Sequence, residues 1–121
     1  EAPPGRVLVA GHYPMLHRTY SYNTSPSRQL RNAELLREAL GKTGREILYI
    51  AGHVHRFSYV QDRDFSSLRH LTTPAFFLQS HHEDIQGAFA EIHVSDAGVQ
   101  VFQHRHKESW QRAPHLALPH E

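Results

Sequence analysis

The stretch LYIAGHVHRF (Leu48–Phe57) begins with four apolar or aromatic residues, breaks at a glycine and then presents two histidines. The apolar run has the length of a short buried strand, and Gly52 ends it. His53 and His55 follow in the turn, separated by one valine. Because imidazole is the commonest metal-ligating side chain in proteins, a strand that ends in two histidines indicates a metal site rather than an ordinary surface loop.

The composition is that of a soluble globular protein. Of 121 residues, 39% are hydrophobic and 21% are charged, and no apolar run approaches the length of a membrane span. The net charge of +1 provides no field that would attract nucleic acid or a membrane surface. The absence of cysteine excludes disulfides and leaves the compartment open, with the cytoplasm favoured. Twelve histidines point towards metal or acid–base chemistry.

Residues 6–51 are predicted to form a βαβ unit with parallel strands. Two apolar runs, each ended by a glycine, are the predicted strands: RVLVA (Arg6–Ala10) and EILYIA (Glu46–Ala51). Between them, apolar residues recur at helical spacing. These are Leu30, Ala33, Leu36 and Leu40, with Leu35 and Ala39 widening the apolar face. Ser25 is the expected N-cap, with Pro26 in the first turn, and Gly41 is the expected end of the helix.

The rest of the chain is predicted to be rich in strands. Short β-prone segments occur at residues 57–60, 68–73 and 75–79. Gly87–Val94 and Val99–His106 flank Ser95-Asp96-Ala97-Gly98, which is a strong hairpin signal. Residues 1–5 are expected to be a linker, and residues 112–121 a loose tail or an edge cover. The fold class is therefore α/β in a single domain over residues 1–121, with a mixed sheet, one main helix and a C-terminal antiparallel hairpin.

Each predicted strand of the βαβ unit ends in Gly-His, at Gly11-His12 and Gly52-His53. Because parallel strands end at the same edge of a sheet, His12 and His53 should emerge together, where ligands of open α/β sheets bind. An extended His53–His55 pair would point to one side, with α-carbons about 6.5 Å apart. Such a pair can serve one ion or two neighbouring ions, and the spacing leaves both alternatives open.

Two segments in this order resemble a known family. VLVAGHYPML (Val7–Leu16) and, after the predicted helix, LYIAGHVHRF (Leu48–Phe57) are similar to the last two metal-binding motifs of the calcineurin-like metallophosphoesterases. That superfamily includes purple acid phosphatases and cyclic-nucleotide phosphodiesterases. Thr72-Thr73-Pro74 and the hairpin at residues 87–101 resemble the sheet that closes the C-terminal half of its fold. The resemblance implies a four-layer α/β sandwich, of which this chain is the C-terminal half.

The resemblance also implies a metal site and a reaction. His12 and His53 would bind one divalent ion and His55 a second, the two ions being Mn, Fe or Zn. A metal-activated hydroxide would then hydrolyse a phosphoester substrate. The earlier motifs of the family, Asp-x-His, Gly-Asp-x-x-Asp and Gly-Asn-His, do not occur in this sequence. The chain alone is therefore expected to bind metal weakly and to lack phosphatase activity until a missing N-terminal half completes the site.

Three further residues are candidates for contact with substrate: His17, Tyr13 and Arg56. Each has an ordinary alternative, namely a solvated loop histidine, an aromatic ring packed under a loop and a solvated arginine. His81-His82 beside Glu83-Asp84 resembles a metal cluster, but a polar turn is favoured because nothing fixes its geometry. His104 and His106 alternate along the last strand, where a solvent-facing edge is the favoured interpretation.

A second hypothesis comes from a different class of function. A non-catalytic, histidine-rich module would bind a metal or dock a partner. In a third, non-functional interpretation, His12, His53 and His55 would cap strand-end loops or lie in the core. Under the half-domain hypothesis, the face that meets the missing half should expose apolar residues, so the chain should form homo-oligomers through it.

Overall fold

The structure, a computed structural model, describes residues 5–25, 30–76 and 87–120. It contains one helix and two sheets. The elements in chain order are β1 (Val7–Gly11), α1 (Ala33–Gly41), β2 (Ile47–Ala51), β3 (Ser58–Gln61), β4 (Leu68–Thr72), β5 (Gly87–Ser95), β6 (Gly98–Lys107), β7 (Ser109–His115) and β8 (Leu118–Pro119). Within the described ranges, no helix has the length and apolar character that crossing a membrane requires. With one helix and two sheets in its described part, the chain is mixed α/β, as predicted.

The first sheet has five strands in the order β1-β2-β4-β3-β8. β1, β2 and β4 are parallel neighbours, whereas β3 runs antiparallel to β4. The parallel pairing of the two strands in the βαβ unit is thus confirmed. The β-prone segments at residues 57–60 and 68–73 correspond to β3 and β4. Ala75 and Phe76 are not in a strand, and the rest of the predicted segment at 75–79 lies outside the described residues.

The helix is shorter than predicted. It begins at Ala33, after Asn32 with a left-handed φ of 59°, and ends at Gly41 as expected. Leu30 precedes the helix, and its N–H donates to the carbonyl of Pro14 over 2.8 Å. Pro26 lies outside the described residues. Leu35 does not widen the apolar face: it is 69% exposed, and Ala39 is exposed too.

β2 lies between two layers, because its side chains alternate between the two faces of the sheet. Ile47, Tyr49 and Ala51 pack with α1 residues such as Ala33 and Leu36. On the opposite face, Leu48 packs against Val101 of the second sheet. The described part of the molecule thus has three layers: the helix, the five-stranded sheet and the three-stranded sheet.

The second sheet is antiparallel, in the order β5-β6-β7. Ser95 pairs with Gly98 across the β5–β6 turn, so the predicted hairpin is confirmed. The sequence predicts a loose tail or an edge cover at residues 112–121, and for their described part the loose tail is wrong and the edge cover is correct. Residues 112–115 belong to β7, which pairs with β6, and β8 pairs with β3 at the edge of the first sheet. The tail is an edge cover, because its backbone N–H and C=O groups complete two ladders that would otherwise be open.

A buried ionic network, which the sequence did not reveal, fastens the helix to the first sheet. Arg37 occupies the inner face of α1, and its Nη1 donates to Oδ1 of Asp62 over 2.6 Å. Glu34 and Asp64 accept the other hydrogen bonds of the guanidinium. Side-chain exposure is 9% for Arg37 and 1% for Asp62. The pair is sustainable in the interior because nearly every charged atom has a hydrogen-bond partner.

His70 completes this network on β4. Its Nε2 lies 2.8 Å from Oδ2 of Asp62. Burial raises the pKa of Asp62, but hydrogen bonds from His70, the Asp64 N–H and Arg37 outweigh it and hold that pKa below the usual range. The carboxylate is therefore an acceptor and His70 donates from Nε2, which leaves its buried Nδ1 without a partner among the described residues. Burial lowers the pKa of His70, because the protonated ring would lose its hydration in the interior.

Asp62→Asn should destabilise the protein by about 3 kcal/mol. This is the lower end of the cost of breaking a buried ion pair, because Glu34 and Asp64 still bind Arg37. Asp64→Asn is the matched control: its side chain is 53% exposed, and the change should cost less than about 1 kcal/mol. Urea unfolding measures both, and equal losses for the two variants would contradict the buried role of Asp62.

Stability should also fall as the pH drops below about 6.5, the pKa of an unfolded histidine. The folded pKa of His70 is lowered, so in this window the unfolded chain binds the proton that the folded chain excludes. His70→Gln removes this group and should reduce the slope between about pH 6.5 and the carboxylate range near pH 4. A residual slope is expected because burial also lowers the pKa of His115. Urea midpoints of both proteins across this range provide the measurement. An unchanged slope in the variant would assign the pH dependence to other residues.

Candidate metal centre

The two Gly-His turns meet at one edge of the first sheet. β1 and β2 pair in parallel register, with Gly11 opposite Ala51, so the chain leaves both strands at the same rim. The N–H of Gly52 donates to the carbonyl of His12 over 3.1 Å and ties the first turn to the end of β2. This rim, formed by the carboxyl ends of parallel strands, is where open α/β sheets place their ligand sites.

His12 and His53 are in direct contact. Nε2 of His12 lies 3.3 Å from Nδ1 of His53, and the ring centroids are 5.1 Å apart. Two nitrogens bound to one tetrahedral zinc ion at about 2.0–2.1 Å are roughly 3.3–3.4 Å apart. The pair therefore has the separation that two ligands of one cation require, although the same contact is within reach of a long imidazole–imidazole hydrogen bond. His12 is exposed and His53 half-buried, so solvent reaches both rings.

His53 and His55 do not form the extended pair that their spacing suggested. Both have a left-handed backbone, with φ of 67° and 57°. The Val54 N–H also donates to the Gly52 carbonyl over 2.7 Å, so the chain turns tightly within this segment. The expected side-by-side arrangement is wrong for this reason. Left-handed non-glycine residues are uncommon, and they cluster at binding and catalytic sites, where the surrounding structure holds the strain.

The structure brings together two of the three predicted ligands. Within residues 5–25, 30–76 and 87–120, no three or more His, Asp or Glu side chains are grouped so that they could hold a metal ion. His55 is exposed and does not join His12 and His53 around one point. Because structural and catalytic zinc sites use at least three protein ligands, a complete site at this rim requires ligands beyond those of the described residues.

Tyr13 packs on both imidazoles. Its ring centroid lies 4.8 Å from that of His12 and 4.6 Å from that of His53. The ring is 42% exposed, so it borders the histidine pair rather than filling the core under the loop. This position is compatible with the predicted contact to substrate. Tyr49 of β2 holds the turn that follows β1, since its hydroxyl donates to the Tyr13 carbonyl over 2.7 Å.

Gly11 is required by this arrangement, whereas Gly52 is not. A Cβ on Gly11 would lie 2.6 Å from the Tyr49 hydroxyl oxygen, which is closer than van der Waals contact permits. A Cβ on Gly52 would meet only Oγ1 of Thr73, at 3.8 Å, and its φ is outside the left-handed region. The first Gly-His turn thus has no room for a side chain before the histidine, whereas the second has room for a methyl group.

The other two predicted substrate contacts lie in different surroundings. His17 is exposed and lines a cavity of about 150 Å³ whose walls include Glu34, Arg37 and His120. Arg56 is half-buried, and its carbonyl accepts a hydrogen bond from Oγ1 of Thr72 over 2.7 Å. Neither residue is part of the contact between His12, Tyr13 and His53. Their role towards a substrate stays a prediction.

A second polar cluster, on the outer face of the second sheet, was not foreseen. Glu91 accepts hydrogen bonds from His93, His104 and Arg112, with 2.7 Å to Nε2 of His104 and 2.9 Å to Nε of Arg112. Arg112, His104 and His93, in that order of effect, lower the pKa of Glu91 to about 2. The solvent-facing edge predicted for His104 is wrong, because β7 covers β6. The predicted polar turn at His81-His82 and Glu83-Asp84 lies outside the described residues.

No protein-family model and no curated protein matches the sequence. Similarity therefore does not establish a family for this chain. Its function has to be inferred from the two histidine turns and their surroundings.

Gly11→Ala should destabilise the protein by about 1–3 kcal/mol, because Tyr49 must shift and its buried hydroxyl loses the Tyr13 carbonyl. Gly52→Ala is the matched control at the other Gly-His turn, and it should change stability by less than about 0.5 kcal/mol. Urea unfolding of the two variants measures the difference. A harmless Gly11→Ala would mean that Tyr49 does not hold this turn.

Proposed function

We propose that this chain is the C-terminal metal-binding half of a binuclear-metal phosphoesterase of the calcineurin-like class. His12 and His53 would hold one divalent cation, and His55 would serve a second. The observation that carries the proposal is the 3.3 Å separation between Nε2 of His12 and Nδ1 of His53. These residues lie 41 positions apart in sequence, and the parallel pairing of β1 with β2 brings them together.

Three features support this function beyond the distance itself. The histidine pair lies at the carboxyl rim of parallel strands, which is the usual ligand edge of such sheets. The turn after β2 holds His53 and His55 in the left-handed conformation, a strain typical of binding sites. Tyr13 borders both imidazoles and is partly exposed, a position compatible with contact to a substrate.

The missing ligands are proposed to come from an N-terminal half that pairs with the edge of β1 that no described strand covers. β1 consists of VLVAG, yet none of its five residues is fully buried, and Leu8 is 48% exposed. A strand added in parallel to β1 would end at the same rim and bring its own side chains beside His12. The same half would add the fourth layer of the sandwich. Phe89 and Trp110 on the second sheet are 37% and 48% exposed, and the added layer would cover them.

A second copy of this chain would not complete the site in the same way. Two β1 edges related by a two-fold axis pair antiparallel, which places the two His12 side chains at opposite ends of the new ladder. A homo-oligomer through β1 would bury the apolar edge, but it would add no metal ligand to His12 and His53. The completing partner is therefore proposed to be a different polypeptide segment.

The chain's own contribution to the reaction would be ligation and orientation. In such sites, two bound cations supply a hydroxide near neutral pH and neutralise charge on the phosphoryl oxygens. Here His12 and His53 would have to be neutral to bind, and the hydrogen bonds at the rim fix the backbone that carries them. Tyr13, His17 and Arg56 are the proposed contacts for the substrate, a phosphoester.

A non-catalytic docking or metal-binding module is the second candidate function. The second sheet favours it, because its outer face combines exposed aromatic rings with the cluster around Glu91. Under this alternative, His12 and His53 would not act together on a cation. The two candidates therefore differ in what a metal titration should show.

Titration of the chain with Zn²⁺, followed by the side-chain NMR signals of its histidines, should shift His12 and His53 first and together. His12→Ala or His53→Ala should each weaken binding at this site by roughly tenfold or more, since loss of even an outer-shell partner costs that much. His106→Ala, on the second sheet, is the control and should leave the affinity unchanged. Zinc binding that is insensitive to His12→Ala would favour the docking module.

An assay of phosphoester hydrolysis by the chain alone is the complementary measurement. With an activated phosphate ester and added Zn²⁺ or Mn²⁺, no hydrolysis is expected, because no carboxylate among the described residues joins His12 and His53 in a metal-binding group. Robust hydrolysis that EDTA abolishes would contradict the half-site and indicate a complete centre within these 121 residues.

A further inference from the structure

Tyr49 lies in the middle of β2, with its side chain on the helix-facing side of the sheet. It is 2% exposed, and its ring packs among the apolar residues of that layer. The hydroxyl nevertheless lies at the rim where the two Gly-His turns meet, because the ring extends beneath Gly11 towards the turn that follows β1. A buried tyrosine of β2 thus contacts the backbone of the neighbouring histidine turn.

Two consecutive carbonyls of that turn are tied to β2. The His12 carbonyl accepts from the Gly52 N–H over 3.1 Å, and the Tyr13 carbonyl accepts from the Tyr49 hydroxyl over 2.7 Å. The peptide units on both sides of Tyr13 are therefore held in place. A turn anchored at one carbonyl can still rotate about it, whereas a turn anchored at two has a defined orientation.

The ring of Tyr13 transmits this orientation to both imidazoles. It meets His12 edge-on, at an interplanar angle of 83°, and lies tilted against His53 at 58°. His53 thereby contacts both His12 and Tyr13. A shift of the Tyr13 backbone would displace both histidines relative to each other.

We infer that Tyr49 is the positioning residue of the histidine pair: its hydroxyl fixes the turn of Tyr13 and so sets the separation of the two imidazole nitrogens. Burial raises the pKa of Tyr49, so the phenol stays a donor throughout the neutral range. The positioning concerns the protein without metal. Its consequence for cation affinity rests on the proposed function.

Tyr22 offers a close control within the same loop region. It is also a buried tyrosine, 8% exposed, and its hydroxyl donates to the Leu16 carbonyl over 2.9 Å. Tyr22→Phe and Tyr49→Phe each remove one hydroxyl and one hydrogen bond to a loop carbonyl. A purely structural role predicts similar effects for both variants.

The first experiment compares the metal-free proteins by NMR at one fixed pH, the same for every variant. In Tyr49→Phe, the ring-to-ring contacts among His12, Tyr13 and His53 should be lost, and the side-chain nitrogen signals of both histidines should move. In Tyr22→Phe, these contacts and signals should match the unmodified protein. Retained contacts in Tyr49→Phe, or equal losses in both variants, would overturn the inference.

A second variant covers the case in which Tyr49→Phe fails to fold. Gly11→Ala displaces the Tyr49 hydroxyl by steric contact and should produce the same loss of contacts among the three rings. Gly52→Ala, which meets no close atom, should leave them intact. Identical spectra for the two alanine variants would count against the role of Tyr49.

Zinc affinity then links positioning to the proposed function. Tyr49→Phe should weaken binding by roughly tenfold, as for other groups that orient a metal ligand, whereas Tyr22→Phe should have no effect. If the unmodified chain binds no zinc at His12 and His53, the proposed function fails, while the NMR comparison still decides the inference. If zinc binds equally well to both variants, the metal consequence of the positioning is wrong.

Discussion

The parallel pairing of β1 with β2 is the constraint on which the rest of the site depends. Its register places Gly11 opposite Ala51, so the two strands end together and release their histidine turns at one rim. A register shift of one residue would turn each side chain to the other face of the sheet. The register is fixed because β2 is packed on both sides, by the helix layer on one face and by the second sheet on the other.

The two sides of β2 perform different tasks. Leu48 on one face belongs to the core between the sheets, while Tyr49 on the other belongs to the helix layer and reaches the histidine rim. The network of Arg37, Asp62 and His70 holds the helix against the same face. The rim is consequently anchored to β2, a strand that is packed on both faces. Its outer neighbour β1 is by contrast an edge strand without a fully buried residue.

Local patterns predicted much of this structure. Apolar runs ended by glycine located β1 and β2, and the turn residues Ser95–Gly98 located the β5–β6 hairpin. The meeting of His12 and His53 followed from one rule, namely that parallel strands end at a common edge. These predictions succeeded because they depend on backbone geometry and on residues close in sequence.

The failures have a common physical cause, since they depend on partners distant in sequence. Arg37 stands in an amphipathic helix, where a charged residue normally faces solvent. Its burial is explained by its ion pair with the buried Asp62, which directly follows β3 and lies 25 positions away in sequence. The left-handed backbone at His53 and His55 contradicts local preference and is held by contacts of the folded rim. Residues 112–115 have no strong strand pattern, and they form a strand because they pair with the edge of β6.

In the proposed site, two strand ends present His12 and His53 to a single divalent cation. Anomalous diffraction at the zinc edge, from crystals of the chain grown with Zn²⁺, tests it most directly. The predicted result is an anomalous peak about 2.0–2.1 Å from both Nε2 of His12 and Nδ1 of His53. A peak bound to only one of these rings, or zinc located elsewhere while the pair keeps its direct contact, would contradict it.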